Sequence, residues 1–478
     1  MFKFTKIGAT IGPACEDQAK LKKMIKAGMN FARLNFAHGN YEWHKKTVKT
    51  IRSVAEELDE PIAILQDLQG PRIRIGVLPE KGIALKEGEK IELDAKVSYN
   101  AGGPLPIDQP DLHRNLKVGE RILIDDGRIE LKIKKIEGSR IVTQVVEGGV
   151  VLSHKGINLP DSKLMIPAMS EKDREDLRFG VKVGIDMVGL SFVSSASDVI
   201  DVRFLIEQFL KEEKITLSHP IMIIAKIERH EAVDNLKSII EVADGIMVAR
   251  GDLGIELPRQ EVPLIQKRII DAARLASKPV IVATQLLDSM RENSRPTRAE
   301  VSDVANAVID HADALLLTNE TAAGKYPVET VKIMSEIILS TEKSSYDDLP
   351  MPPFKGQINT EEAISKLSRL LVEETGAKFI LAGSMTGETG RLLSQIRPNV
   401  PIYVATSDEL VMRQLNLSWG ARAFITPPCR NIEEFIDRSI VYLKRNKFGK
   451  VGDKMIIVAG EPVGQAGNVN LLEVREIK

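Results

Sequence analysis

IMIIAKIERHEAVDNLKSIIEVADGIMVARGDLG, residues 221–254, is the stretch whose reading decides the fold. Ile221 to Ile227 is a nearly continuous aliphatic run, the pattern of a parallel strand covered on both faces. Lys226 interrupts that run near its end. Lys226 and Glu228 are two residues apart, so in a strand both side chains leave from the same face. A second run, Asp244 to Ala249, ends in Arg250-Gly251-Asp252. Between the two, Ala232, Leu236, Ile239 and Ile240 recur at helical spacing and predict a helix over 231–242. The usual right-handed crossover of such a β-α-β unit brings both strand ends to one side.

Lys226, Glu228 and Asp252 then pose a choice. As a purely structural salt-bridge cluster they are a poor design, because desolvating such a group costs several kcal/mol before pairing recovers it. A magnesium site with a lysine beside it makes better sense, since Mg²⁺ takes one or two carboxylates and completes its octahedron with water and substrate oxygens.

Outward from this unit the same rhythm continues. Strands over Thr5 to Ile11, Asn30 to Phe36 and Pro61 to Leu68 alternate with helical segments over Asp17 to Ala27 and Tyr41 to Leu58. Residues 72–166 break the pattern with short alternating runs such as Lys90 to Leu93, Arg121 to Ile124 and Arg128 to Ile136. Asp125-Asp126-Gly127 reads as a hairpin turn between the last two. Gly70-Pro71 and Ile166-Pro167 bound this small all-β insert. The rhythm resumes with a helix over Glu171 to Val181 and strands over Met187 to Ser191, Ile221 to Ile227, Gly245 to Ala249, Val280 to Thr284 and Ala314 to Thr318. Eight strands with intervening helices predict an α/β (β/α)₈ (TIM) barrel over residues 1–71 and 167–342, with an open doubly wound sheet as the alternative.

Residues 343–359, containing LPMPPFKGQ, read as a linker, and residues 360–478 as a C-terminal α/β domain. Its strands are expected over Phe379 to Ala382, Ile402 to Ala405, Ala423 to Thr426, Lys454 to Ala459 and Leu472 to Val474. Two turns share a G-x₃-G-x₂-G spacing, Gly383 to Gly390 and Gly460 to Gly467. Such loops can cradle a phosphate, although loose glycine patterns are more often plain turns.

Composition removes several function classes. A net charge of −1 over 478 residues offers no electrostatic footprint for nucleic acid or an anionic membrane, and 4% aromatics is poor in base-stacking surface. The two cysteines, Cys15 and Cys429, are too few for a disulfide framework and fit a reducing compartment. Lysines inside the only apolar stretch of MFKFTKIGATIGPACED argue against a signal peptide, and no apolar run reaches a membrane-spanning length. The expectation is a soluble, cytoplasmic protein.

At a barrel mouth, the strand ends would deliver Arg33 and Asn35, Asp67, Ser191, Lys226 and Glu228, Asp252, Thr284 and Thr318. Nearly every strand contributes a polar group, which stability alone would not select. At this point the residues carry a resemblance: the chain is similar to the pyruvate kinase family from end to end. It rests on TKIGATIGPA (5–14), MNFARLNFAHG (29–39), Asp67 to Arg74, IDDG (124–127), KGINLP (155–160), IAKIER (224–229), MVARGDLG (247–254), ATQLLDSM (283–290), RPTRAE (295–300) and NETAAGKYP (319–327).

The resemblance implies phosphoryl transfer from phosphoenolpyruvate to ADP, giving ATP and pyruvate in glycolysis. It places Lys226 and Arg33 on the phosphoryl group and Glu228 and Asp252 on Mg²⁺, with Mn²⁺ admissible. The substrate is expected at Ala249, Arg250, Gly251, Asp252, Thr284 and Thr318, with Thr284 by the carbon that gains a proton. Asn35, His38, Arg74, Lys155 and Asp126 are expected around the nucleotide, the insert closing as a lid over the site. A homotetramer is implied as well.

Two departures from the family pattern bear on potassium. Members that need the ion carry NFSHG and DTKGPEIR, whereas this chain has NFAHG and DLQGPRIR. Asn35, Asp67 and Leu68 keep the equivalent positions, but Ala37 lacks the hydroxyl and Arg72 brings a permanent positive charge. The expectation is that Arg72 substitutes for the cation and potassium is not required. Thr318-Asn319-Glu320 stands where many members have Ser-Gly-Glu, a change that keeps the hydroxyl. The loop with Ser384, Thr386, Gly387 and Thr389 resembles the family's sugar-phosphate effector loop, although Glu388 would repel an anion there. Two rivals stay open: a lyase or aldolase acting on a pyruvate enolate, with Lys226 as a Schiff-base lysine in one version, and a catalytically silent protein on the same fold.

Overall fold

The computed structural model describes residues 2–162, 167–350 and 359–478. Ile166 of the expected insert boundary and residues 351–358 of the expected linker lie outside the described residues. Eight parallel strands form a closed barrel. They are β1 (Lys6–Thr10), β2 (Phe31–Asn35), β3 (Ala63–Asp67), β4 (Met187–Leu190), β5 (Met222–Ile227), β6 (Gly245–Ala249), β7 (Val280–Ala283) and β8 (Ala314–Leu317). Pairing of β1 with β8, Lys6 opposite Ala314, closes the ring and removes the open-sheet alternative.

Two-residue periodicity divides each strand between two cores. Along β5, Met222 and Ile224 join the barrel interior while Ile223, Ala225 and Ile227 pack under the surrounding helices. The interior row of β2 begins with Phe31 and that of β3 runs through Ala63 and Leu65. One step further along these inward rows stand Lys226, Arg33 and Asp67. The polar groups therefore close the top of a packed interior, which is why they gather at one mouth. Gly8 faces the Phe31 ring, and a Cβ there would come within 2.2 Å of it.

The expected helix over 231–242 is divided into His230–Asp234 and Leu236–Val242. Asn235 sits between them at φ −95° and ψ 14°, while Leu236, Ile239 and Ile240 stay buried as the periodicity requires.

Between β3 and β4 the chain builds a curled seven-stranded sheet, the lid, around its own aliphatic cluster. Arg121–Ile124 and Ile129–Glu137 pair antiparallel across the expected hairpin. Asp125, Asp126 and Gly127 all have positive φ there (55°, 57° and 79°), the left-handed turn that this residue trio favours.

The C-terminal α/β domain has five strands: β9 (Phe379–Gly383), β10 (Ile402–Thr406), β11 (Ala421–Ile425), β12 (Lys454–Ala459) and β13 (Leu471–Glu476). Their order is β11-β10-β9-β12-β13, with only β13 antiparallel to its neighbour. This domain caps the amino-terminal end of the barrel, where Leu417 completes the interior cluster. Around it Asn416 Nδ2 donates to Asn30 O at 2.7 Å, Arg413 Nε to Asp186 Oδ1 at 2.8 Å and Trp419 N to Asp313 Oδ1 at 3.0 Å. Among the described residues no helix is long and apolar enough to cross a membrane.

Candidate active site

Four charged side chains form one buried group at the barrel mouth. Asp67 Oδ2 accepts from Arg33 Nε at 2.6 Å, and Asp67 Oδ1 lies 3.2 Å from Lys226 Nζ. Lys226 Nζ also contacts Glu228 Oε1 at 2.8 Å and donates to Ser191 Oγ at 2.7 Å. Ser191 in turn donates to Leu68 O at 2.7 Å, and Phe192 N–H donates to Glu228 Oε2 at 2.8 Å.

The electrostatics follow from that packing. Burial alone would push the Lys226 ammonium down, but the Asp67 and Glu228 carboxylates outweigh it and hold it above the ordinary lysine range. Burial opposes ionisation of Asp67 as well, yet Lys226 and Arg33 prevail and keep it low. Glu228 is pushed up by burial and by repulsion from Asp252, against the pull of Lys226. A hard divalent cation on the Glu228–Asp252 pair would relieve that repulsion, and an all-carboxylate donor set suits Mg²⁺. These residues fit the ion. Among the described residues no third acidic, histidine or cysteine side chain joins them as a cage.

The adjoining wall comes from the ends of β6 and β7. Thr284 has φ +72°, a conformation that costs a β-branched residue about 1–3 kcal/mol. It is held there from two sides: Gly251 N–H donates to Thr284 Oγ1 at 2.8 Å, and Arg250 Nη2 donates to Thr284 O at 2.7 Å. Arg250 Nη1 is tied to Asp303 Oδ1 at 2.7 Å. Thr318 Oγ1 and Thr318 N–H both donate to Glu320 Oε2, at 3.0 and 2.7 Å, so the Glu320 carboxylate reaches back and ties down the start of the short helix that follows β8.

Arg72, Asp126, Arg250, Asp252 and Thr284 line one cleft of about 1090 Å³ between barrel and lid. On its lid side Arg72 Nη2 donates to Asp126 Oδ1 at 3.0 Å, and the Arg72 guanidinium lies against the backbone of Gly156. Arg72 is therefore bonded within the lid rather than to Asp67 or Asn35. Lys155 Nζ pairs with Asp125 Oδ1 at 2.7 Å, and Arg74 Nη1 donates to His154 O at 3.0 Å. Asn35 stands opposite Asp67 in register and accepts from Ala37 N–H at 3.1 Å, while His38 is exposed.

In the C-terminal domain both glycine-rich turns line a single cavity of about 320 Å³, together with Ser384, Thr386, Glu388 and Thr389. Their shared spacing was visible in the sequence; their meeting was not. Thr10 and Asp303 escaped the sequence reading. Thr10 Oγ1 accepts from Arg33 Nη1 at 3.0 Å, and its place after Lys6 and Gly8 on the inward row of β1 could have marked it. Asp303 lies on a helix surface and carried no such signal.

Comparison with known proteins decides the family. The model of the pyruvate kinase barrel domain matches residues 2–331, and that of the pyruvate kinase alpha/beta domain matches residues 362–475. The chain belongs to the pyruvate kinase family. A pyruvate kinase of Geobacillus stearothermophilus is 42% identical over 481 residues, covering 100% of this chain and 81% of that protein. One from Mycobacterium tuberculosis is 41% identical over 476 residues, covering 99% and 98%. The crystal structure of a pyruvate kinase from Cryptosporidium parvum superposes with a TM-score of 0.92 at 33% identity, over 99% of this chain and 96% of that one. Members of the pyruvate kinase family are phosphotransferases, and the lyase or aldolase alternative is not favoured.

Proposed function

We propose that Lys226, Arg33, Glu228, Asp252 and Thr284 carry the family reaction, transfer of the phosphoryl group of phosphoenolpyruvate to ADP. The supporting observation is the Lys226 ammonium, buried yet held protonated by Asp67 and Glu228, the latter carboxylate also feeling the charge of Asp252. A terminal phosphate oxygen of ADP attacks phosphorus, the bond to the enol oxygen breaks, and the enolate then takes a proton at its methylene carbon. Phosphoryl transfer of this kind asks for positioning and charge neutralisation more than covalent help. Lys226 and Arg33 supply fixed positive charge to the phosphoryl oxygens, and Asp67 aims both side chains. Glu228 and Asp252 hold Mg²⁺, or Mn²⁺, which when bound stabilises charge on the enolate and phosphate oxygens. Thr284 faces the carbon that is protonated, either by its own hydroxyl or by a water it positions.

The same charge state opposes the Schiff-base version of the rival reading, because a lysine held protonated by two carboxylates is no nucleophile. Asn35, His38, Arg74, Lys155 and Asp126 form the nucleotide side, with the lid closing to exclude water. Arg72 replaces the charge of a monovalent cation in the cleft, so potassium is dispensable. The loop of Ser384, Thr386, Gly387 and Thr389 serves as an effector site in a cytoplasmic homotetramer.

The deciding experiment is ATP formation from phosphoenolpyruvate and ADP with Mg²⁺, run with and without potassium. Turnover is expected in both buffers at similar rates. A many-fold rise on adding potassium would refute the role of Arg72, and no turnover in either would refute the reading as a whole.

A further inference from the structure

The lid meets the barrel at few polar points. Where the chain leaves the barrel and where it rejoins it, one carboxylate holds both ends: Asp173 Oδ1 accepts from Gly70 N–H at 3.1 Å and Asp173 Oδ2 from Ser170 N–H at 2.9 Å. That fixes the hinge. Away from it, Asn158 Nδ2 on the lid strand Gly156–Asn158 donates to Glu256 Oε1 at 3.2 Å, with both residues buried. Among the described residues this is the only side-chain hydrogen bond that crosses from the lid, residues 72–162, to the barrel.

Glu256 ends the helix Arg250–Glu256, whose first turn bears Asp252, and Asn158 lies three residues after Lys155. The same helix approaches the lid a second time, since a Cβ on Gly127 in the Asp125-Asp126-Gly127 turn would stand 3.8 Å from Ile255 Cγ2. Behind Glu256, His230 Nδ1 lies 3.8 Å from Glu256 Oε2 and 3.3 Å from Glu231 Oε2, and Glu231 Oε1 pairs with Arg229 Nη2 at 2.7 Å. Residues 229–231 follow Glu228 directly, so one carboxylate stands between the lid and the backbone that carries Glu228 and Asp252. The contact is built to release. Asn158 Oδ1 and Glu256 Oε2 are buried without a hydrogen-bond partner among the described residues, and a gap of about 30 Å³ lined by Asn158, Phe192, Arg229 and Glu256 keeps the two sides from packing shut. A purely structural joint would pair those oxygens, because burying them unpaired costs free energy that a closed seam avoids.

We propose that Glu256 is a positioning residue, the latch through which the lid, with Lys155 on its nucleotide side, is aligned with the helix that carries Asp252. Its part in turnover rests on the function proposed above, whereas the latch itself does not. While Asn158 is bonded, the lid strand and the Asp252 helix move as one body, and ADP meets its lid contacts at a fixed distance from the phosphoryl group. Once the bond is lost, the lid swings on the Asp173 hinge alone. Arg33, Lys226, Arg250 and Thr284 all belong to the barrel, so the latch bears on the nucleotide and not on phosphoenolpyruvate.

The test compares the wild type with Asn158→Ala, Glu256→Ala, the double variant and Glu256→Gln, the last keeping an oxygen that can accept from Asn158. Hydrogen exchange over residues 155–159 and 250–257, measured by mass spectrometry without metal or substrates, should quicken in both alanine variants and stay near wild type in Glu256→Gln. In steady-state assays KM for ADP should rise about tenfold in either alanine variant, the order expected for losing one hydrogen bond to a charged acceptor, while KM for phosphoenolpyruvate stays within about twofold. The double variant should be no worse than either single one, because both remove the same bond. The proposal falls if exchange in Asn158→Ala is unchanged, if both KM values rise together, or if the two substitutions act additively. A wild type without turnover would instead sink the phosphotransfer reading, and exchange alone would then decide the latch.

Discussion

Lys226 shows how a residue normally rejected by a core becomes tolerable there. Its ammonium sits between two carboxylates and a serine hydroxyl, so a charge that burial penalises is over-compensated. Lys226→Met removes a preorganised positive charge and should lower kcat by about 10²- to 10³-fold, read from ATP formation. The protein should remain folded by circular dichroism, because methionine fills much the same volume. At Arg72 the guanidinium pairs with Asp126 of the lid. Arg72→Glu would set two carboxylates against each other there and restore the glutamate of potassium-dependent relatives. The expected outcome is turnover that collapses in potassium-free buffer, checked by titrating KCl. Cys15 supplies a third test at this scale: burial pushes its thiol up to about 11. It should resist alkylation at pH 8 in the native protein and react only on unfolding, counted by mass spectrometry.

Among the elements, the barrel strands were legible because they are short, nearly continuous aliphatic runs set between helical segments. Arg33, Asp67 and Lys226 could be assigned to one mouth since each stands near the carboxyl end of its strand, and the structure unites them. Pairings within the lid were not legible, since Arg72 with Asp126 and Lys155 with Asp125 depend on how the lid sheet curls. Nor was the break at Asn235, where apolar spacing alone does not separate one helix from two. Gly8 gives the element-scale prediction. A methyl group placed within 2.2 Å of the Phe31 ring overpacks the barrel, so Gly8→Ala should destabilise by about 1–3 kcal/mol and lower the Tm.

The whole molecule is joined at the foot of the barrel, and one buried lysine makes that joint sensitive to pH. Lys6 Nζ donates to Ala421 O of β11 at 2.5 Å, and burial, with Lys3 and Arg422 nearby, pushes its ammonium down to about 7. Burial lowers Lys3 in the same way, to about 8, while Glu342 and Glu60 oppose the shift on Lys6. Both lysines are depressed below their unfolded values, so between about pH 7 and 10 the unfolded chain binds more protons than the folded one. Stability should therefore rise with pH across that window, as a Tm increase of several degrees by calorimetry. Lys6→Met should flatten the slope, leaving only the part due to Lys3.

The sequence by itself determined the eight-strand rhythm, the inserted lid, the C-terminal domain and the residue types that end the strands. These are local matters: side-chain period, turn chemistry and the run of apolar residues act within a few positions of one another. Only the tertiary structure decided which charges meet. Asp67 aiming both Arg33 and Lys226, Asp303 restraining Arg250, the two glycine-rich turns sharing one cavity and Asn158 reaching Glu256 all join residues far apart in the chain. Coulomb forces and close packing act through space, and which partners they find is settled only once the strands have closed on themselves.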